Sequence, residues 1–98
     1  MTQEEKYIAE NQYKNMSITV SVLDPANDYL QFYCEQKGKE ITFTDDGYYI
    51  NAFMLEDKTD FWGLERRGDE LILKGKAKNF AFLKDIYIIN LLGVLNEK

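Results

Sequence analysis

Short segments of alternating polar and apolar residues, separated by turn-forming residues, constrain the fold more than any other feature of this sequence. In the first segment Ile18, Val20 and Val22 fall on one face, as in a half-buried β-strand. Four further segments have the composition or alternation of strands. The predicted strands are residues 17–23, 29–36, 40–44, 48–55 and 70–74.

The alternation also predicts which side chains form the core. Leu30, Phe32 and Cys34 point one way in the second strand, and Ile41 and Phe43 do so in the third. Cys34 is therefore expected to be a small buried apolar residue and not a reactive thiol.

The predicted turns carry recognisable turn chemistry. Asp24-Pro25-Ala26-Asn27-Asp28 interrupts the strands because proline lacks an N–H group, and Lys37-Gly38-Lys39 is short enough for a hairpin. Asp45-Asp46-Gly47 is typical of a type I′ hairpin turn, leading into a central strand over 48–55. Arg66-Arg67-Gly68-Asp69 is interpreted as a further turn.

The C-terminal segment predicts a helix that Asn79 can cap, with Phe80, Leu83 and Leu91 at helical spacing. Apolar residues surround the helix, so a face turned away from the sheet needs further cover, which a dimer contact could supply. Residues 3–13 favour a short N-terminal helix or arm. The predicted fold class is α+β: one domain over 1–98, with an antiparallel sheet of about five strands packed by the C-terminal helix.

Composition narrows the possible chemistry. The 98 residues include no histidine and one cysteine, which removes the commonest general base, an intrachain disulfide and a Cys/His zinc site. We therefore expect no enzymatic activity, no cofactor and no metal.

Two arrangements of acidic residues could nevertheless hold a metal ion. Asp45 and Asp46 could hold a divalent cation with Asp28, or with Glu56 and Asp57, since hard cations prefer several carboxylate oxygens. The acid and E-x-K spacing ending at Lys58 is also found in metal-dependent nucleases. Local turn chemistry accounts for the Asp-Asp-Gly sequence without a metal.

Charge is distributed unevenly along the chain. Residues 1–60 hold twelve acids and five bases, a balance of −7, whereas residues 61–98 hold five acids and seven bases, a balance of +2. The net charge of −5 argues against non-specific binding to nucleic acid and against binding to an anionic membrane. Arg66, Arg67 and the lysines from Lys74 to Lys84 form a basic group that leaves a weak nucleic-acid contact open.

The acids lie mostly at predicted hairpin turns, which project together at the ends of a sheet. Tyrosine offers a large contact area at low entropic cost, and carboxylates attract a basic partner. A soluble surface with core tyrosines is the alternative interpretation. The predicted partner-binding residues are Asp28, Tyr29, Tyr33, Asp45, Asp46, Tyr48, Tyr49, Glu56 and Asp57.

Two stretches, Asn27-Asp28-Tyr29-Leu30-Gln31-Phe32-Tyr33 and Thr44-Asp45-Asp46-Gly47-Tyr48, resemble a family of small phage and bacterial proteins of unknown function. The pattern typical of that family is similar to these two stretches: an N-D-Y-x-Q strand followed by a T-D-D-G-Y turn. Gly68-Asp69-Glu70-Leu71 resembles the family's G-E-L strand. The resemblance implies a phage or prophage origin and no particular activity.

Two functional hypotheses follow. The first is a non-enzymatic, phage-encoded inhibitor that binds a basic surface of a host defence protein, for example a CRISPR effector, through its acidic, tyrosine-rich surface. The second is a dimeric regulatory or antitoxin-like module that acts through its apolar C-terminal helix. The first residues lack the pattern of a secretory signal and no segment suits a membrane span, so we expect a cytoplasmic protein, in the host cytoplasm if phage-encoded.

Overall fold

A computed structural model describes residues 15–97 as a five-stranded antiparallel sheet packed against a C-terminal helix. The strand order in the sheet is β1-β2-β3-β5-β4. The predicted α+β class is confirmed, and the predicted helix or arm over 3–13 lies outside the described residues. The elements are β1 (Asn15–Leu23), β2 (Tyr29–Lys37), β3 (Glu40–Thr44), α1 (Tyr48–Ala52), β4 (Glu65–Arg67), β5 (Glu70–Lys76), a 3-10 turn (Ala77–Asn79) and α2 (Phe80–Asn96).

The core lies between the sheet and α2. Leu30, Phe32 and Cys34 of β2 are fully buried, as are Ile41 and Phe43 of β3, so the core-facing positions of both strands were predicted correctly.

One buried tyrosine joins α2 to the sheet. The ring of Tyr87 lies 5.0 Å from that of Phe32 and 5.9 Å from that of Phe43, measured between centroids. Its hydroxyl donates a hydrogen bond of 2.7 Å to the carbonyl of Leu71 in β5. Burial raises the pKa of the Tyr87 hydroxyl, chiefly because the charged form would lose its hydration.

The predicted strand over 48–55 is wrong, because residues 48–52 form the short helix α1. Aromatic and aliphatic residues at both odd and even positions of this segment suggested a strand that is covered on both faces. Instead, Tyr49, Ile50 and Phe53 are buried together at helical spacing. Tertiary burial here outweighs the strand preference of aromatic residues.

The turn before α1 has the predicted backbone but a different role. Asp46 and Gly47 have φ angles of 56° and 80°, and the N–H of Tyr48 donates to the carbonyl of Asp45. Positive φ at both central residues is the type I′ signature. The turn joins a strand to a helix and not two strands, so the predicted hairpin is wrong.

The sheet reaches five strands through β4, which the sequence pattern did not reveal. Arg66 and Arg67, interpreted as a turn, pair with Leu71 and Glu70 of β5. Only Gly68 and Asp69 form the turn, since a two-residue hairpin loop suffices.

Smaller corrections concern β1 and the start of α2. Val22 is 37% exposed, because the pairing of β1 with β2 shifts between Thr19 and Leu23 and ends the regular alternation. The side chain of Asn79 makes no capping hydrogen bond.

Candidate functional site

The β1–β2 turn is held by a buried carboxylate. Asp24 is 4% exposed, and its Oδ1 accepts hydrogen bonds from the N–H groups of Ala26 (2.8 Å) and Asp28 (3.1 Å). The Asp24 side chain therefore maintains the turn, while the Asp28 side chain is left exposed to solvent.

A second buried carboxylate holds the β3–α1 turn. Asp45 is 1% exposed, and its Oδ1 accepts hydrogen bonds from the N–H groups of Gly47 (3.1 Å) and Leu71 (3.0 Å). Its Oδ2 accepts a hydrogen bond of 2.8 Å from the N–H of Tyr49. This one side chain joins the start of α1 to β5, and it satisfies amide groups that would otherwise be buried without acceptors.

Asp46, the next residue, faces solvent. Its N–H donates to the hydroxyl of Thr44 (3.0 Å), and that hydroxyl donates in turn to Glu70 (2.7 Å). The exposed carboxylate of Asp46 is thus carried on a backbone that several hydrogen bonds fix in place.

Tyr49 connects α1 to the first residues of β2. Its hydroxyl accepts a hydrogen bond of 3.1 Å from the N–H of Gln31, which lies beyond the last pairing between β2 and β3, at Tyr33. Burial raises the pKa of the Tyr49 hydroxyl. Tyr48, whose ring meets that of Tyr49 edge to face, is 56% exposed.

These turns and tyrosines surround one concavity at the end of the sheet where β1 ends and β2 begins. Its volume is about 550 Å³. Among residues 15–97, four carboxylates and four tyrosines line it and no lysine or arginine does, so the electrostatic character of this lining is anionic. We call it the Tyr/Asp groove, and its residues are Asp24, Asp28, Tyr29, Gln31, Tyr33, Asp45, Asp46, Tyr48 and Tyr49.

The structure brings together seven of the nine predicted partner-binding residues. Glu56 and Asp57 are exposed but do not line the groove. Asp45 and Tyr49 line its floor with side chains only 1% exposed, so their inclusion in a contact surface needs correction: they support the groove. The predicted residues that both line the groove and are exposed are Asp28, Tyr29, Tyr33, Asp46 and Tyr48.

Sequence reasoning missed Gln31, and it placed Asp24 in the turn between the first two strands without including it among the partner-binding residues. The signal for Asp24 is its position before Pro25, where an aspartate commonly accepts hydrogen bonds from the following turn. No comparable signal marks Gln31, because its place in the groove depends on where β3 ends.

The metal hypotheses receive no support from the arrangement of the acids. Within residues 15–97, no group of three or more Asp, Glu, Cys or His side chains is arranged to hold a metal ion. Both oxygens of Asp45 already accept hydrogen bonds from backbone amides.

The predicted basic group is partly engaged by acceptors. Arg66 donates to the backbone carbonyls of Gly68 (2.9 Å) and Glu56 (2.7 Å). Arg67 forms an ion pair of 3.0 Å with Glu65. The Glu65 carboxylate offsets the charge of Arg67, and the carbonyls occupy two donors of Arg66 that a phosphate would otherwise use.

A second concavity of about 540 Å³ lies on the sheet face that carries Tyr33 and Thr42. It shares Tyr33 and Asp46 with the Tyr/Asp groove, so the two depressions adjoin. Its charged lining is mixed, with Lys74 among the bases and Glu70 among the acids. Of these two depressions, the Tyr/Asp groove is the anionic one.

Neither helix in the described part of the chain is long and apolar enough to cross a bilayer.

Fold and groove together define a small α+β domain with an anionic, tyrosine-lined depression at one end of its sheet. The chain belongs to the family described as Domain of unknown function DUF1828, whose model matches residues 20–79. The matched segment contains every residue of the Tyr/Asp groove. The predicted membership of an uncharacterised family is confirmed in this form. No curated protein and no solved structure matches the chain.

Proposed function

We propose that this domain is a non-enzymatic binding module whose Tyr/Asp groove receives a cationic part of a protein partner. One observation carries the proposal: two exposed carboxylates and three partly exposed tyrosines converge on one concavity, and no basic residue in the described part of the chain lines it. A lysine or arginine side chain entering it would meet negative charge and the faces of aromatic rings.

The exposure of the rings supports a contact role. Tyr29 and Tyr48 are 59% and 56% exposed and Tyr33 is 37% exposed, which is far more than a core tyrosine shows. Tyrosine loses little conformational entropy on binding and combines apolar area with a hydroxyl group. The hydrogen bonds of Asp24, Asp45 and Tyr49 hold the groove in its shape before a partner arrives, which lowers the cost of binding.

In its most specific form, the proposal is that the chain is phage-encoded and inhibits a host defence protein, for example a CRISPR effector, in the host cytoplasm. An acidic surface can occupy a basic nucleic-acid groove without any catalytic group, and this suits a chain without histidine. The phage setting is carried by the sequence resemblance described above.

The test is capture of a partner from a bacterial lysate with matched charge-reversal variants. Asp28→Lys/Asp46→Lys changes two exposed groove acids, whereas Glu56→Lys/Asp57→Lys makes the same change in charge outside the groove. We expect the first variant to lose the partner at least tenfold and the second to keep it, with capture weakening as salt rises.

Equal loss in both variants would assign the binding to net charge, and full retention in the groove variant would exclude the groove as the binding site. For the inhibitor hypothesis, the same two variants are expressed in a host with active CRISPR immunity and challenged with phage. Wild-type chain is expected to restore plaque formation, and the groove variant is not. A wild-type chain that captures a partner but leaves immunity intact would refute only the inhibitor role.

The alternative function, a dimeric regulatory or antitoxin-like module, needs a surface for self-association. Phe82 and Ile89 on α2 are 66% and 62% exposed, which favours this candidate independently of the groove. Its regulatory role would be tested by whether expression of the chain changes transcript levels of its own operon, which the inhibitor hypothesis does not require.

A further inference from the structure

The outer face of α2 carries a continuous apolar stripe. At about 100° per residue, Phe82, Ile86, Ile89 and Gly93 lie on one side of the helix. The buried residues Phe80, Tyr87 and Leu91, among others, lie on the opposite side, against the sheet. The stripe therefore points away from the core.

Within residues 15–97, Trp62 covers the C-terminal end of this stripe. A Cβ atom at Gly93 would lie 2.5 Å from the indole of Trp62, so the ring rests directly on the glycine. Trp62 is itself 42% exposed and continues the apolar surface beyond Ile89. No acidic or basic residue stands at the four helical positions of the stripe.

We infer that the α2 stripe, defined as Phe82, Ile86, Ile89 and the Trp62 ring over Gly93, binds a second copy of this chain with the two helices antiparallel. The inference is independent of the proposed function of the groove.

The spacing of the stripe is self-complementary, as a two-fold interface requires. Phe82 and Gly93 are equally far from the midpoint between residues 87 and 88, and so are Ile86 and Ile89. A two-fold axis at that midpoint sets Phe82 of one copy against Trp62 of its partner, and Ile86 against Ile89. Each large side chain then meets another apolar one.

The area is sufficient for a weak, specific dimer. From the exposed fractions of Phe82, Ile89 and Trp62, the apolar surface is roughly 350 Å² per copy, a size at which patches on monomers are often functional. Two such patches bury roughly 700 Å² between them, below the ~1,200 Å² at the lower end of stable interfaces, so the contact falls in the range of weak association. We therefore expect a dimer with a dissociation constant in the micromolar range.

Dimerisation through this stripe leaves the groove accessible. Tyr33 lies on the sheet face opposite Phe32, whose ring packs against α2 through Tyr87. The side of the Tyr/Asp groove that Tyr33 forms therefore faces away from the helix contact.

The experiment is sedimentation equilibrium of the full chain from about 5 to 500 μM. The mass is expected to rise from 11.5 kDa toward twice that value. Ile89→Glu, which places a charge near the middle of the stripe, is expected to weaken association at least tenfold. Leu23→Glu, at a half-exposed apolar residue of β1, is the matched control and should still dimerise. Circular dichroism checks that both variants fold.

A wild-type chain that stays monomeric over the whole range overturns the inference, as does a dimer that Ile89→Glu leaves unchanged. The orientation is tested separately with a short thiol crosslinker. Ile86→Cys copies are expected to join, because the two positions lie close to the axis, whereas Phe82→Cys copies, about 16 Å apart along the helices, are not. Joining of the Phe82→Cys copies would show a parallel pair, in which each position faces its own counterpart, and would refute the antiparallel arrangement.

Discussion

The carboxylate of Asp45 is expected to be among the most sensitive points of the fold. The substitution Asp45→Asn keeps the shape of the side chain but replaces one of its two acceptor oxygens with a donor. In the native chain Oδ1 serves two amides, of Gly47 and Leu71, and Oδ2 serves the amide of Tyr49. With the amide oxygen of asparagine in the Oδ1 position, its NH₂ group would face the N–H of Tyr49.

The expected loss of stability in Asp45→Asn follows from these three hydrogen bonds. One hydrogen bond to a charged acceptor is worth about 1.5–3 kcal/mol, and a buried donor left unsatisfied costs a further ~1 kcal/mol or more. We expect Asp45→Asn to lower the free energy of unfolding by about 3 kcal/mol, a large part of the ~5–15 kcal/mol typical of a domain. Asp46→Asn is the matched control: it removes the same charge from an exposed side chain, and asparagine tolerates the left-handed backbone there.

Urea unfolding followed by the fluorescence of Trp62, the single tryptophan, measures both variants. The control is expected to stay within about 0.5 kcal/mol of the wild type. If Asp45→Asn is equally mild, the three amide hydrogen bonds do not stabilise the domain as argued, and the role of Asp45 as a structural anchor is refuted.

Three further predictions concern stability. Gly93→Ala should destabilise the native chain by about 1–2 kcal/mol, because the added methyl group meets the Trp62 ring. In a Trp62→Gly background the same substitution should stabilise by about 1 kcal/mol, because alanine is the better helix former. Thermal unfolding followed by circular dichroism shows whether the sign of the effect changes. Burial raises the pKa values of Tyr49 and Tyr87 above the unfolded value of 10.0, so the stability that the two neutral hydroxyls contribute below pH 10 is lost as the pH rises further. The urea concentration at the unfolding midpoint should therefore fall between pH 8 and 11, and it should fall less in Tyr87→Phe. Met54 is exposed at a φ of 55°, so Met54→Gly should stabilise by about 0.5–1 kcal/mol in urea unfolding, and a loss of stability would contradict the strain argument.

The sequence predicted most of the sheet because local patterns determine it. β3 was predicted with its observed bounds, and the core faces of β2 and β3 follow from simple alternation. The predicted number of strands agrees with the observed five only because two errors compensate. The segment 48–55 was assigned as a strand, and β4 was assigned as a turn.

Both errors concern segments whose structure depends on distant residues. The start of α1 is held by Asp45, which is in turn held by the N–H of Leu71, 26 residues away. β4 has three exposed residues and no alternation of its own, so only its pairing with β5 makes it a strand. Neither long-range contact leaves a periodic signal in the sequence.

The candidate site was predictable as a set of residue types at turns, but not as a shape. Turn chemistry and tyrosine content selected seven residues that do meet. The same reasoning included Glu56 and Asp57, because a charged loop looks alike whether or not it adjoins the groove. It also could not separate Asp45 from Asp46, since adjacent aspartates differ only in which one points inward.

The inward and outward acids of the two turns can change independently in evolution, because they have different structural roles. At each of the two turns, one aspartate is committed to the backbone, Asp24 or Asp45, and another, Asp28 or Asp46, stands free in water. Substitutions at Asp28, and at Asp46 by residues that tolerate its left-handed backbone, can therefore change the charge and selectivity of the surface without disturbing the scaffold. Adaptation to an altered target could therefore proceed by substitution of Asp28 and Asp46, while Asp24 and Asp45 preserve the fold.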